Sequence, residues 1–166
     1  MDITIQKAQP ADAAALLAFL RRVGGESDNL TFGAEGLPVS AKAEAEYLAQ
    51  LANTPDGIML LAKCGGEIIG EATLNRLPRR MRHRGEFSIA VAKAYWGKGI
   101  GSRLLAHILA FARENGFSII DLQVRCDNLG AIHLYEKYGF QRLCTYPAFF
   151  KIGERYIDFI YMCRRL

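Results

Sequence analysis

Hydrophobic residues along this chain change their period several times, and each change predicts an element. Ile3 and Ile5 alternate with Thr4 and Gln6, which predicts a short strand that Pro10 ends. Ala14, Leu16, Leu17 and Leu20 then recur at helical spacing up to Gly24 and Gly25. From Glu26 to Pro38 glycines and polar residues follow no period, so this stretch reads as a loop with room to shape a substrate pocket. Ser40 stands before good helix formers from Lys42 to Leu48, and this predicts a capped second helix that stops near Asn53 to Pro55. The apolar run from Gly57 to Ala62, the Gly65-Gly66 pair and the run from Glu67 to Leu74 together read as a hairpin.

The centre of the pattern is the stretch from Glu86 to Gly116. Phe87, Ile89 and Val91 alternate with Glu86, Ser88 and Ala90, so strict alternation would set the last three on one face of a strand. After a glycine-rich turn, Leu104, Leu105, Ile108, Leu109 and Ala112 take up helical spacing, with Gly116 as the stop. Ile119 to Val124 is the next strand, and a right-handed crossover would make it parallel to its predecessor. Ala131, Leu134, Tyr135 and Tyr138 share one face of a helix begun by Asp127-Asn128 and stopped by Gly139. Two closing strands, Gln141 to Phe150 and Arg155 to Cys163, flank Gly153-Glu154. The expected order is β-α-α-β-β-β-α-β-α-β-β in a single domain over 1–166.

The turn between the central strand and its helix is Gly97-Lys98-Gly99-Ile100-Gly101-Ser102. Alternate glycines let a backbone turn sharply and let a ligand come close to it. The first N–H groups of a helix lack partners, and with the helix dipole they suit a phosphate or pyrophosphate. Lys98 adds a positive charge. Taken alone, such a run is either a tight loop or an anion site. It fits neither the phosphate loop of nucleotide hydrolases nor the G-x-G-x-x-G dinucleotide fingerprint.

Composition narrows the remaining classes. A chain of 166 residues, 51% hydrophobic, can bury one full core. Its net charge of +4 suits an anionic cofactor and falls short of a nucleic-acid binder's footprint. Cys64, Cys126, Cys144 and Cys163 lie far apart without a C-x-x-C, so no zinc site or disulfide framework is expected, and buried reduced thiols are. The N-terminus lacks a signal-peptide pattern, and no window nears the roughly 18 apolar residues of a membrane span; a soluble cytoplasmic protein is expected. Arg76, Arg79, Arg80, Arg82 and Arg84 read as a solvated connection, with an acidic substrate or partner as the alternative. His107 and His133 lack partnered ligand spacing and receive no role. By spacing alone Tyr135 belongs to a core face.

Three segments in order resemble the GCN5-related N-acetyltransferase (GNAT) family. Trp96-Gly97-Lys98-Gly99-Ile100-Gly101 is similar to its [QR]-x-x-G-x-[GA] pyrophosphate motif, with Trp96 in the place of the usual Gln or Arg. Asn128 to Phe140 resembles N-x-x-A-x-x-L-Y-E-K-x-G-F, and His83-Arg84-Gly85-Glu86 resembles the H-x-G-E start of the family's fourth strand. The resemblance covers about 83 to 140. It implies an α/β (α+β) fold with a mixed, mostly antiparallel sheet of about seven strands and about four helices. In that fold the fourth and fifth strands are parallel and splayed.

The resemblance also implies acetyl transfer from acetyl-CoA to a primary amine of a small molecule or peptide, without metal or covalent enzyme intermediate. Glu86 is the implied proton acceptor and Tyr135 the implied acid for the departing thiolate. An N–H near Ala90 or Val91 is the implied oxyanion donor. Pantetheine would pair with Ile89, Ala90 and Val91, and the pyrophosphate would sit on Gly97 to Ser102. Asn128 would contact the cofactor or a water, and Lys98 and Lys137 would face CoA phosphates. No nucleic acid or membrane partner is implied, and family members often form homodimers. Two other readings stay open: an acyl-CoA-binding regulatory domain of the same fold, and a phosphate-binding regulator that uses the glycine loop.

Overall fold

A computed structural model describes residues 2–166. Strand β1 (Ile3–Lys7) is followed by helices α1 (Ala13–Glu26) and α2 (Ala41–Ala52). The hairpin of β2 (Gly57–Cys64) and β3 (Glu67–Arg76) leads to β4 (Arg84–Val91), α3 (Ile100–Glu114) and β5 (Ile119–Arg125). Helix α4 (Leu129–Lys137) and a long hairpin, β6 (Gln141–Ile152) and β7 (Arg155–Arg165), complete the order read from the pattern. Helix α1 runs through Gly24 and Gly25 to Glu26 instead of stopping at the glycines. Gly24 answers to space: a Cβ there would lie 2.1 Å from the Gly33 carbonyl oxygen, so the loop backbone packs directly on the helix. Ser40 caps α2 as expected, its Oγ accepting the Ala43 N–H at 3.1 Å.

The seven strands form one sheet in the order β1-β2-β3-β4-β5-β7-β6. Its pairs are antiparallel except β4 with β5. Helix α3 covers one face with Leu104, Leu105, Ile108 and Leu109 against Ile69, Ile120 and Leu122. On the other face α1 and α2 bring Leu16, Leu20 and Leu48 against Leu61 and Ala90. This is the mixed, mostly antiparallel sheet with four helices that the resemblance implied, on a single layered body. Among the described residues no helix is long and apolar enough to cross a membrane.

Strands β4 and β5 pair over three residues only, Arg84, Gly85 and Glu86 with Ile119, Ile120 and Asp121. Beyond Glu86 they part. The root of this fork is held by a two-pronged ion pair, Arg84 Nε and Nη2 donating to the Asp121 carboxylate at 2.7 and 2.5 Å. Asp121 is 1% exposed, so the guanidinium takes the place of the water its carboxylate has lost. Gly85 is equally constrained, because a Cβ would sit 2.7 Å from the Phe117 ring and 2.8 Å from Leu74.

The arginine run is therefore not simply a solvated connection. Arg76 stacks on Phe117 at 3.8 Å and, with Arg82, binds the Asp56 carboxylate at 2.8 Å. Only Arg79 and Arg80 conform to the expectation and stay exposed without an ion pair among the described residues. All four thiols are free, but their exposure departs from the expected burial: Cys126 and Cys144 are exposed, and Cys64 and Cys163 are half-buried. Cys144 lies on β6, the outermost strand, where little covers a side chain.

Removing Arg84 strands a buried carboxylate, whereas removing Asp121 strands a guanidinium that keeps some solvent. Arg84→Ala should therefore cost about 3 kcal/mol in urea unfolding, the scale for breaking a buried pair. Asp121→Ala should cost less, and the double variant less than Arg84→Ala alone.

Candidate active site

Hydrogen-bond parity along β4 decides what faces the fork. The Ala92 N–H donates to the Ile69 carbonyl at 2.9 Å and Leu77 N–H to the Arg84 carbonyl at 3.0 Å. The β3–β4 register runs without a shift from Gly70 opposite Val91 to Arg76 opposite Gly85. Even-numbered residues of β4 thus spend their backbone groups on β3, and Phe87, Ile89 and Val91 turn theirs toward the fork. Of the two amides expected as oxyanion donors, Val91 faces the gap, while the ladder with Glu71 occupies Ala90. The Val91 carbonyl is already taken: Trp96 Nε1 donates to it at 2.7 Å. The tryptophan that replaces the usual Gln or Arg has a job of its own, holding the glycine turn against the end of β4.

The turn itself carries Gly97 and Gly99 at φ 73° and 77°, a conformation that a side chain strains. Gly99 is the N-cap of α3 and has no side chain to cap it, and the first intrahelical bond runs from Arg103 N–H to the Gly99 carbonyl. The amides before Arg103 at this helix start point outward, free to meet an anion. Gly101 serves packing instead, since a Cβ there would come within 3.2 Å of Leu134. The Ser102 hydroxyl lies 2.8 Å from the Tyr138 hydroxyl, which ties α3 to α4.

These groups border a cavity of about 790 Å³ that follows the fork. Gly97, Gly99, Ile100, Gly101 and Ser102 form its turn end, and Glu86, Ile89, Ala90 and Val91 form its β4 side. Asn128 and Tyr135 line it from α4. Lys98 and Lys137 do not. Lys98 lies 5.0 Å over the Tyr95 ring, beside the turn rather than in the cavity wall. Asn128 caps α4, its side-chain oxygen accepting the Ala131 N–H at 3.3 Å, which leaves the amide NH₂ as its remaining donor group.

Tyr135 is both core and site. It is 6% exposed and packs edge-on to Phe87 at 6.1 Å and against Phe140 at 5.9 Å, yet lines the cavity. Burial pushes its phenol above the ordinary value, so the proton is in place at neutral pH.

Several lining residues have no counterpart in the sequence reading. Glu71 of β3 is buried within an apolar strand, where burial pushes its carboxyl up to about 7. A hydrogen bond from Thr73 opposes that rise and the Glu44 charge adds to it. The only visible signal was a glutamate in the middle of an otherwise apolar or small run, Ile68 to Ala72. From the far hairpin come Phe149, Phe150 and Phe159, packed ring to ring at 4.3 to 5.6 Å. Arg125 of β5 also lines the cavity: it binds Asp127 beside α4 and donates to the Asp28 carbonyl of the 27–40 loop.

A sheet that forks between two parallel strands, with a glycine turn and a helix start at the fork, is the arrangement that the resemblance to the GNAT family implied. The family model described as the acetyltransferase (GNAT) family matches residues 28–140, and the chain belongs to that family. It is similar to the N-alpha-acetyltransferase RimI of Mycobacterium tuberculosis, 39% identical over 55% of this chain and 57% of that protein. It is also similar to the L-amino acid N-acetyltransferase AaaT of Escherichia coli, 30% identical over 77% of this chain and 80% of the relative. The crystal structure of a GNAT-family acetyltransferase from Streptococcus pneumoniae superposes with a TM-score of 0.96 at 32% identity, covering 99% of this chain and 100% of that one. The chain thus spans little more than half of the mycobacterial protein.

Gly99→Val forces a β-branched residue into positive φ at the cap while a Cβ there meets open space. It should weaken acetyl-CoA binding at least tenfold in calorimetry, with the fold retained by circular dichroism.

Proposed function

We propose that this chain moves an acetyl group directly from acetyl-CoA to a primary amine. The observation that carries the reading is the convergence, round one forked cavity, of a free Val91 amide, the Tyr135 phenol and an acidic face on β3 and β4. Pantetheine would lie in the fork as a substitute strand, meeting the outward backbone groups of Ile89 and Val91. The pyrophosphate would sit on the free amides at the start of α3, with Lys98 and Lys137 outside the wall where the nucleotide emerges. Asn128 would offer its NH₂ to the cofactor or to a water.

Negative charge that develops on the attacked carbonyl oxygen would be met by the Val91 N–H. Tyr135 would offer its O–H to the sulfur as the C–S bond breaks; a thiol titrates near 8.5, so the phenol is still protonated when the thiolate forms. The acceptor would enter from the face of Glu86, Ser88 and Ala90, between the 27–40 loop and the aromatic wall of Phe149, Phe150 and Phe159. Glu86 is exposed and four residues from Ala90 along β4, about 13 Å of strand. It would act on the ammonium at the mouth, through water. An α-amino group or another simple primary amine is the acceptor best supported, as the two named relatives are an N-alpha-acetyltransferase and an L-amino acid acetyltransferase.

Thiol release from acetyl-CoA in the presence of 2-phenylethylamine, L-alanine amide, L-alanine, spermidine and an alanine-led tripeptide tests this reading. Turnover of none, with acetyl-CoA still bound, would leave a regulatory acyl-CoA-binding domain. Tyr135→Phe should lower kcat by about 10² to 10⁴, the range for acid–base groups, with little change in cofactor affinity. Glu86→Gln should lower kcat/KM for a cationic amine about fivefold, mostly through KM, the equivalent of about 1 kcal/mol for an exposed pair. That loss should shrink at high pH, where the amine arrives neutral.

A further inference from the structure

We infer that Glu71, not Glu86, is the residue that takes the proton from the acceptor ammonium, an inference that rests on the acetyl-transfer reading of the same cavity. Register sets Glu71 directly opposite Ala90, on the face shared with Ser88 and Glu86. Opposed residues of an antiparallel pair keep their Cβ atoms about 5 Å apart. The carboxyl group therefore stands beside the stretch of β4 whose Val91 amide faces the reacting carbonyl. Glu86 is opposite Asn75, four residues farther down the strand.

Packing gives no reason for this residue. Ala90 directly opposite is buried and apolar, Ala72 and Leu74 turn to the α3 face, and a hydrocarbon of similar volume would avoid the cost of burying a carboxyl group. Among the described residues no Lys, Arg or His lies within ion-pair distance of Glu71. The Thr73 hydroxyl donates to one of its oxygens at 3.1 Å, which fixes the carboxyl group and leaves the other oxygen for the cavity that Glu71 lines. Behind it on α2 stand Glu44, also buried and raised by that burial, and Tyr47, bonded to Asn75 at 3.2 Å. The other charged groups of the cavity wall are Glu26 of α1, Glu86 of β4 and Arg125 of β5, the last held by Asp127. A carboxyl group that titrates near 7 is matched to removing a proton at neutral pH.

In the reaction an ammonium N–H bond breaks and its proton passes to the Glu71 carboxylate. The freed electron pair forms the N–C bond at the thioester carbonyl. As the C–S bond breaks, its pair leaves on sulfur, which gains the second nitrogen proton by way of Tyr135. Glu71 then returns its proton to water in the cavity that it lines. The balance is one amide, one thiol and one released proton per ammonium consumed.

The test is the pH profile of kcat/KM for the better of the two alkylamine acceptors of the panel above, 2-phenylethylamine or spermidine. Wild type should rise with pH and level off just above 7, well below the pKa of about 10 of an alkylammonium. Glu71→Gln should lose that plateau and climb on toward the amine's own pKa, at least a hundredfold slower at pH 7, with acetyl-CoA affinity unchanged. Glu71→Asp should restore part of the rate and the plateau. Glu44→Gln, which leaves Glu71 in place and removes the neighbouring charge, should move the acid limb to lower pH. The fold offers a separate readout. The Glu71 pKa is raised above the ordinary 4.5, so stability falls as pH rises from there through about 7, and Glu71→Gln should raise Tm above pH 7 but not below 4.5. A wild-type limb in Glu71→Gln would overturn the assignment while turnover itself stood. Absence of turnover in the wild type would instead remove the acetyl-transfer reading beneath it.

Discussion

The fork between β4 and β5 is the constraint on which the rest of the molecule depends. Two parallel strands that pair over three residues and then separate leave a row of backbone groups without partners. Unpaired backbone in an interior is costly unless something fills the place. In this chain the separation is enforced from both ends: Arg84 and Asp121 clamp the root, and Trp96 holds the tip of β4 through the Val91 carbonyl. The gap that remains presents the Ile89 and Val91 amides on one side and β5 with the start of α4 on the other. An extended ligand with alternating donors and acceptors fits it as a strand would.

Two buried carboxyl groups on one face of this sheet contrast with each other. At the root, Asp121 is fully compensated by a guanidinium, an arrangement that specifies where the strands part. On the acceptor side Glu71 and Glu44 are buried close together without a cation, and each shifts toward its neutral form. One arrangement fixes geometry and the other stores a titratable group next to it. Stability given up at Glu71 is thus placed at the point where a proton has to move.

Much of the fold was legible because its signals are local. Period changes, the Ser40 cap, the Gly116 and Gly139 stops and the Gly65-Gly66 turn each report on neighbours in the chain and became element boundaries, whereas the Gly24-Gly25 pair did not. Sheet order was less so: that β7 enters between β5 and β6 depends on pairing across tens of residues. At the site, the glycine turn, Asn128 and Tyr135 were readable because a helix start and a motif are contiguous stretches. Glu71 was not, since its meaning comes from Ala90 opposite and Glu44 behind, neither near it in sequence. The arginines were misjudged for the same reason: Asp56 and Asp121, which bind them, lie 20 to 37 positions away.

Amide hydrogen exchange, resolved by residue with and without acetyl-CoA, tests most directly whether the fork is the cofactor's slot. Ala90, bonded into the β3 ladder, should exchange slowly in both states. Ile89 and Val91 should exchange faster in the free protein and become protected when acetyl-CoA binds, together with the first amides of α3. Bound acetyl-CoA that leaves Ile89 and Val91 unprotected would contradict the account.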